Sequence, residues 1–211
     1  MGTQQRRARE REELRDLILS TARELFAAEG YEAVSMRKIA ERIEYSPTAI
    51  YGYFADKQAL FRELCEKDFL ALAFEFQAIA RIADPVERFR AVGRAYVHFG
   101  LDHPNHYRLM FMTPHPPVEL SEERVHRGNP EEDAYAFLKG ILAAIQAEGR
   151  LRPEFADLEA ASQVAWAAVH GIVSLHIAKC NDAWVEWRPA PETTELLIAA
   201  LARGMTQEAR P

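Results

Sequence analysis

Between Ser35 and Lys57 the chain concentrates side chains suited to an anionic, hydrogen-bonding surface. Ser35, Ser46 and Thr48 bring hydroxyls, Tyr51 and Tyr53 bring phenols, and Arg37 and Lys57 bring cations, while Pro47 and Gly52 keep the surroundings small. Hydroxyls, main-chain amides at helix starts and cations are the groups that hold phosphates. Threonine offers a base edge both a hydroxyl and a methyl, the latter matching the thymine methyl. The chemistry implied is recognition of a nucleic acid, not the making or breaking of bonds.

No second constellation points to catalysis. The chain has no Gly-rich phosphate loop, no nucleophile elbow, no HExxH and no ExxH pair. Its seven histidines raise the question of a metal. His170 and His176 are six residues apart and fall on different sides of a helix, whereas neighbours on adjacent turns are three or four apart. His103 and His106 have that interval, but Pro104 disturbs the geometry between them, and Asp102 with His98 or His106 makes only an ordinary pair. No metal site and no cofactor is expected. Cys65 and Cys180 are too few and too distant for a disulfide framework and read as reduced thiols.

The elements that must position the polar run are helical. Leu14, Leu17, Ile18, Thr21, Leu25 and Ala28 recur at three- and four-residue steps, the stripe of an amphipathic helix. Gly30 ends it, and Arg6, Arg7 and Arg9 precede it in a basic arm expected to be flexible over residues 1–9. Ser35 predicts an N-cap for a helix starting at Met36, with Val34 stapled onto Ile39. Ser46 caps a second short helix with Pro47 at its first position, and Tyr45 can staple onto Ile50. Asp56 opens a third, longer helix through Leu60, Leu64, Phe69 and Phe76. Two short helices about three residues apart have helix-turn-helix spacing. Stepping ~100° per residue from Pro47, Ile50 and Phe54 face inward, while Pro47, Thr48, Tyr51 and Gly52 share an outward face.

Beyond residue 82 longer helices are predicted over 86–99, 134–147, 156–179 and 193–205, with a turn opened by Pro104 and running to Phe111. Residues 113–129 lack periodicity and are expected to form a mobile loop. No strand-like alternation and no internal repeat is found, so the chain reads as all-α. No stretch approaches the ~20 apolar residues of a membrane span, and Met1 to Glu13 lack the apolar region of a secretion signal. A cytoplasmic protein without membrane contact is expected.

The charge total needs dividing. The chain has 26 Lys and Arg against 32 Asp and Glu, a net charge of −6 that speaks against nucleic acid when taken as one number. Residues 1–63 hold eleven bases and eleven acids, so the whole excess falls on residues 64–211. Attraction to DNA must then come from placement, with weak nonspecific binding that fades quickly with salt.

The segments Leu25-Phe26, Gly30-Tyr31, Ser35 to Ala40, Tyr45 to Phe54 and Asp56 to Leu60 together resemble the N-terminal domain of the TetR family of regulators. The likeness covers about residues 10–62. It implies a three-helix DNA-binding domain over 10–56, a larger helical ligand-binding and dimerisation domain over 57–211, and a homodimer on palindromic operator DNA. It places Ser46, Thr48 and Tyr51 on the recognition helix and matches Lys57 to a phosphate-contacting lysine. Two departures stand out. Many members have glycine where this chain has Glu44, so either the turn takes another shape or packing of Tyr45 offsets the strain. Gly52 stands where histidine is frequent, which removes one possible contact.

The segment Trp166 to Gly171 also resembles the Trp-His-Gly motif of one TetR C-terminal subclass, and Pro104 to Phe111 fits that subclass. The expected ligand-binding residues are Trp166, Val169, His170 and Val173, on one helical stripe, with Tyr96, Phe99, Tyr107, Met110 and Phe111. Apolar walls with few polar groups suit a small, mostly hydrophobic effector. The resulting expectation is a ligand-responsive repressor. A helical small-molecule or haem-binding protein without a DNA-binding role is the alternative, which would explain the second domain but not the first.

Overall fold

The computed structural model describes residues 3–115, 117, 119 and 125–208. Within them the chain forms nine α-helices and no strands: α1 Thr3–Glu29, α2 Met36–Arg42, α3 Pro47–Tyr51, α4 Lys57–Gln77, α5 Pro85–Asp102, α6 Pro104–Tyr107, α7 Ala134–Ala147, α8 Leu158–Lys179 and α9 Ala190–Met205. They divide into two compact units, residues 1–68 with 105–121, and residues 69–104 with 122–211. The boundary expected at residue 56 is therefore displaced. The first turns of α4 pack with the smaller unit, and a later stretch of chain returns to it.

In the first unit each short helix begins where a local signal places it. Ser35 accepts from the Lys38 amide at 3.2 Å and Ser46 from the Ala49 amide at 3.3 Å. Asp56 accepts from the Ala59 amide at 2.7 Å and opens α4. These caps satisfy amides that a helix start leaves without partners. Apolar side chains on the inner faces, among them Ile18, Phe26, Ile39, Ile50, Leu60 and Leu64, are fully buried. Phe26 and Tyr31 stack at 5.5 Å, and Phe61 stands edge-on to both at 5.4 and 4.8 Å.

The turn between α2 and α3 keeps its left-handed residue although that residue is not glycine. Glu44 has φ 61° and is the one non-glycine with positive φ among the described residues. A side chain there costs roughly 1–2 kcal/mol. Two main-chain hydrogen bonds offset it: Glu44 N–H to Glu41 C=O at 3.3 Å and Tyr45 N–H to Ala40 C=O at 2.9 Å. This is the paired closure of a Schellman motif. Tyr45 is 45% exposed, so its packing contributes little to that offset.

The arm expected over residues 1–9 is, from Thr3 on, the first turns of α1. Arg6 pairs with Glu10 and Arg9 with Glu13 one turn along, spacing that supports a helix in water. After α6, residues Arg108–Met112 form a π-helical turn closed by Thr113 N–H on Arg108 C=O at 2.7 Å. The loop expected over 113–129 lies partly outside the described residues.

A buried ionic cluster ties three segments of this unit. The Asp68 carboxylate on α4 is 1% exposed and receives both Arg23 Nη2, at 2.7 Å, and Arg23 Nε, at 3.2 Å, from α1. His106 Nδ1 from α6 lies 3.0 Å from the same carboxylate. Arg15 adds a second link from α1 to α4, paired with Glu63 and lying 4.8 Å over the Phe54 ring. Cys65, one turn before, is buried, and burial pushes its thiol up to about 12, whereas Cys180 is exposed.

In the second unit aspartates cap the main helices: Asp84 for α5, Asp133 for α7 and Asp157 for α8. Gly93 lets α5 approach closely, since a Cβ there would stand 3.3 Å from Ile198 and 3.7 Å from Val169. Arg94 holds Glu195 through two hydrogen bonds, joining α5 to α9. Among the described residues α8 is the one helix long and apolar enough, by length and composition only, to cross a membrane, a test that core helices of soluble proteins also pass. Its valines, isoleucines, leucines and alanines lift the average despite Gln163 and two histidines.

Asp68→Ala is expected to cost about 3–5 kcal/mol of stability, because it leaves Arg23 largely buried without its partner. The joint change Arg23→Met with Asp68→Leu is expected to recover most of that loss. Urea denaturation of the three proteins measures both, and an unchanged midpoint in Asp68→Ala would contradict the account.

Candidate functional site

The polar run identified in the sequence lies on the first unit's surface. Ser35, Arg37, Ser46, Pro47, Thr48, Tyr51 and Gly52 are all exposed, Tyr51 at 54%. Beneath them Ile50 and Phe54 are buried, so α3 is seated by one face and free on the other. The two serine caps mark the N-terminal amide ends of α2 and α3, the second directly after the turn. Gly52 ends α3 with helical backbone, φ −70°, and a Cβ there would lie 3.2 Å from the Ala49 carbonyl.

The cations are less free than their positions in the sequence suggest. Arg37 Nε donates to Glu41 at 2.8 Å, and Lys38 pairs with Glu29. Lys57, matched by the resemblance to a phosphate contact, is half-buried: its Nζ donates to the Tyr31 carbonyl at 3.0 Å and lies 4.1 Å from the centre of the Tyr31 ring. Tyr53 is also half-buried, with the Arg11 guanidinium 5.7 Å over its ring. Its neighbour Phe54 is core. The Tyr-x-Tyr-Phe run is thus divided, Tyr51 outward and the remainder held by α1.

The sequence reading missed Arg23 and Asp68 and weighed His106 only against Asp102 and His103, whereas the three fix α1, α4 and α6 together. The available signal was Arg23 itself, a charge set among Leu19, Ala22 and Phe26 on the inner stripe of α1. Its partner lies 45 residues away, beyond any periodicity argument.

The expected ligand-binding residues fall in both units. In the second, Trp166 Nε1 donates to the Tyr96 hydroxyl at 2.8 Å, and the Trp166 ring stands edge-on to Tyr135 and His170 at 6.0 and 6.3 Å. Phe99, Val169 and Val173 are buried beside helix contacts. Burial lowers the His170 imidazole below its ordinary value of 6.5. In the first unit Tyr107 is fully buried, Met110 is buried at 7% exposure, and Phe111 packs 4.9 Å from Tyr107. Among the described residues no three His, Cys, Asp or Glu side chains converge as a metal site.

With this geometry established, likeness to known proteins can be placed on it. Residues 18–64 match the bacterial regulatory proteins of the tetR family, and residues 89–201 match the tetracyclin repressor-like C-terminal domain. The HTH-type transcriptional regulator UidR of Escherichia coli strain K12 is 33% identical over 73 residues, 35% of this chain and 34% of UidR. The HTH-type transcriptional activator FasR of Mycolicibacterium smegmatis is 33% identical over 104 residues, 48% of this chain and 47% of FasR. The chain thus matches between a third and a half of the length of these curated relatives. A TetR family transcription regulator from Marinobacter aquaeolei VT8 superposes with a TM-score of 0.75 at 19% identity, covering 95% of this chain and all of that one.

Because the half-buried His170 favours its neutral form, its ring is expected to titrate below 6.5. The native state then gains no proton where the unfolded chain does, so stability falls as pH drops below 6.5 and is unaffected above it. NMR titration of the His170 ring checks this, and a midpoint at or above 6.5 would contradict it. The family matches span both units, and they carry the conclusion: this chain belongs to the TetR family of transcriptional regulators and is not an enzyme.

Proposed function

We propose that the chain is a repressor that binds palindromic operator DNA as a homodimer and releases it on binding a small, mostly hydrophobic effector. The observation that carries this reading is α3, capped by Ser46, buried through Ile50 and presenting Thr48 and Tyr51 outward. A recognition helix of this kind lies in the major groove with its N-terminal residues against base edges. Ser35 and Arg37, at the start of α2, and the α3 amides would meet phosphates, as would Lys57 once drawn from Tyr31. Gly52 leaves room for the DNA surface, and Tyr53 holds the end of α3 in place.

Dimerisation is supported by α8. Val164, Ala167, Gly171 and Leu175 recur along one exposed face, with Val164 at 48% and Leu175 at 52% exposure. On α9, Leu196 is 71% exposed. A water-facing apolar stripe on α8 and the exposed Leu196 on α9 suit a four-helix bundle with the same helices of a second copy. Two heads would then meet two half-sites. Repression is the simplest consequence of such occupancy, since a seated dimer excludes other proteins from the same stretch of DNA.

The effector reading rests on the aromatic and apolar group around Trp166, with Tyr96, Phe99, Val169, His170 and Val173. A ligand there acts on DNA affinity only through a difference between its affinities for two states. The path is covalent: α5 ends at Asp102, Pro104 follows, and residues 105–112, including Tyr107, Met110 and Phe111, belong to the first unit through His106 and Asp68. A shift of α5 would pull on α4, and α4 carries the head.

Selecting bound duplexes from a random pool tests the reading. The expected outcome is a palindrome with half-sites about 10 base pairs apart, centre to centre, or a multiple of that spacing. Tyr51→Ala is expected to keep its fold and to weaken binding to the selected duplex by about tenfold or more. A pool without enrichment, or a Tyr51→Ala protein that binds as well as the parent, would overturn the proposal.

A further inference from the structure

Glu44 is a carboxylate at a place where glycine would be less strained. It adopts φ 61°, it is exposed, and among the described residues its carboxylate has no hydrogen-bond or ion-pair partner. Other acids of the same unit are occupied: Glu41 by Arg37, Glu29 by Lys38, Glu63 by Arg15 and Asp68 by Arg23. Glu12, Glu24 and Glu32 are also without partners among the described residues, but none of them lies in the turn that leads into α3.

Position gives the unpaired charge its meaning. Ser46, the cap of α3, is two residues further along, so the two Cα atoms are no more than ~7 Å apart. If the start of α3 enters the major groove, this carboxylate comes beside the phosphates that border it. Charges on the two sides of such a contact act on one another within the ~10 Å over which salt screens them at moderate ionic strength. Of the cations on α2, Arg37 is paired with Glu41, while Arg42, two residues before Glu44, is exposed. The Glu44 charge therefore opposes phosphate and offsets the attraction that Arg42 exerts from the last turn of α2.

From these observations we infer that Glu44 is an electrostatic brake, a fixed negative charge that lowers affinity for duplex DNA of any sequence. The strained backbone places the brake, and the Schellman closure holds it there. Binding without sequence preference comes almost wholly from phosphate attraction. A repulsion at this point therefore leaves base-edge contacts from Thr48 and Tyr51 to decide where the head stays. This inference rests on the DNA-binding reading above.

The test uses the full chain and a fluorescent duplex of random sequence, measured by anisotropy at about 50 and about 200 mM salt. Glu44→Gln, which removes the charge and keeps the left-handed side chain, is expected to bind about fivefold more tightly at the lower salt. The gain should shrink to less than about twofold at the higher salt. Glu44→Gly should match that gain in binding and in addition raise the melting temperature, while Glu154→Gln, the same charge change on the second unit, should leave binding unchanged. Equal affinity of Glu44→Gln and the parent, a gain confined to Glu44→Gly, or an equal gain in Glu154→Gln would each overturn the inference. If neither parent nor variants bind the duplex at the lower salt, the DNA-binding reading falls and the inference with it. Binding by the parent with no response to Glu44→Gln removes the inference alone.

Discussion

The Asp68 carboxylate, 1% exposed, is the point on which the first unit turns. A charge so far from water is tolerable only when its oxygens are met by well-placed donors or cations. Arg23 supplies two of them in a bidentate grip, and His106 stands 3.0 Å from the same oxygen that Arg23 Nη2 reaches. The three residues come from α1, α4 and α6, so one carboxylate fixes the long first helix, the helix that leaves the head, and the segment that returns to it. No apolar contact would specify that meeting as narrowly, because van der Waals packing tolerates sliding and a planar guanidinium on a carboxylate does not.

Given that frame, the reading face of the head needs little more than local chemistry. Ser35 and Ser46 set where α2 and α3 begin, the Schellman closure at Glu44 sets the angle between them, and Ile39, Ile50 and Phe54 seat both on α1 and α4. Arg11 and Arg15 of α1 cover the rings of Tyr53 and Phe54, so bases from the α1 stripe serve the interior of the head rather than its surface. This explains a head with no net charge. Its cations are largely committed to Glu29, Glu41, Glu63 and Asp68, and the exposed face of α3 is polar without being strongly basic.

What the sequence made legible follows from the range of the forces concerned. Caps and staples act within about four residues, so the starts of α2, α3 and α7 and the outward face of α3 could be read directly. The left-handed site at Glu44 was also visible, through the family resemblance, although only coordinates decided between strain and another turn. The arm over 1–9 was misread because its arginines were weighed as a basic tail. Pairing of Arg6 with Glu10 and Arg9 with Glu13 favours helix instead. Asp68 with its partners could not be read at all, since Arg23 lies 45 residues away. The orientation of Lys57 toward Tyr31 was hidden for a similar reason: a lysine at a helix start looks free until the ring beside it is known.

The central claim is that two such heads, carried by a dimer of this chain, are set for successive turns of one DNA duplex. Pulsed dipolar spectroscopy tests it directly. A spin label at Gln58→Cys in the Cys180→Ser background reports on the head alone, since Cys65 is buried and its thiol is pushed up to about 12. The account predicts an intermolecular distance of the order of one helical turn of DNA, ~35 Å, which narrows when a selected duplex is added. Absence of any intermolecular coupling, or a distribution that the duplex leaves unchanged, would contradict it.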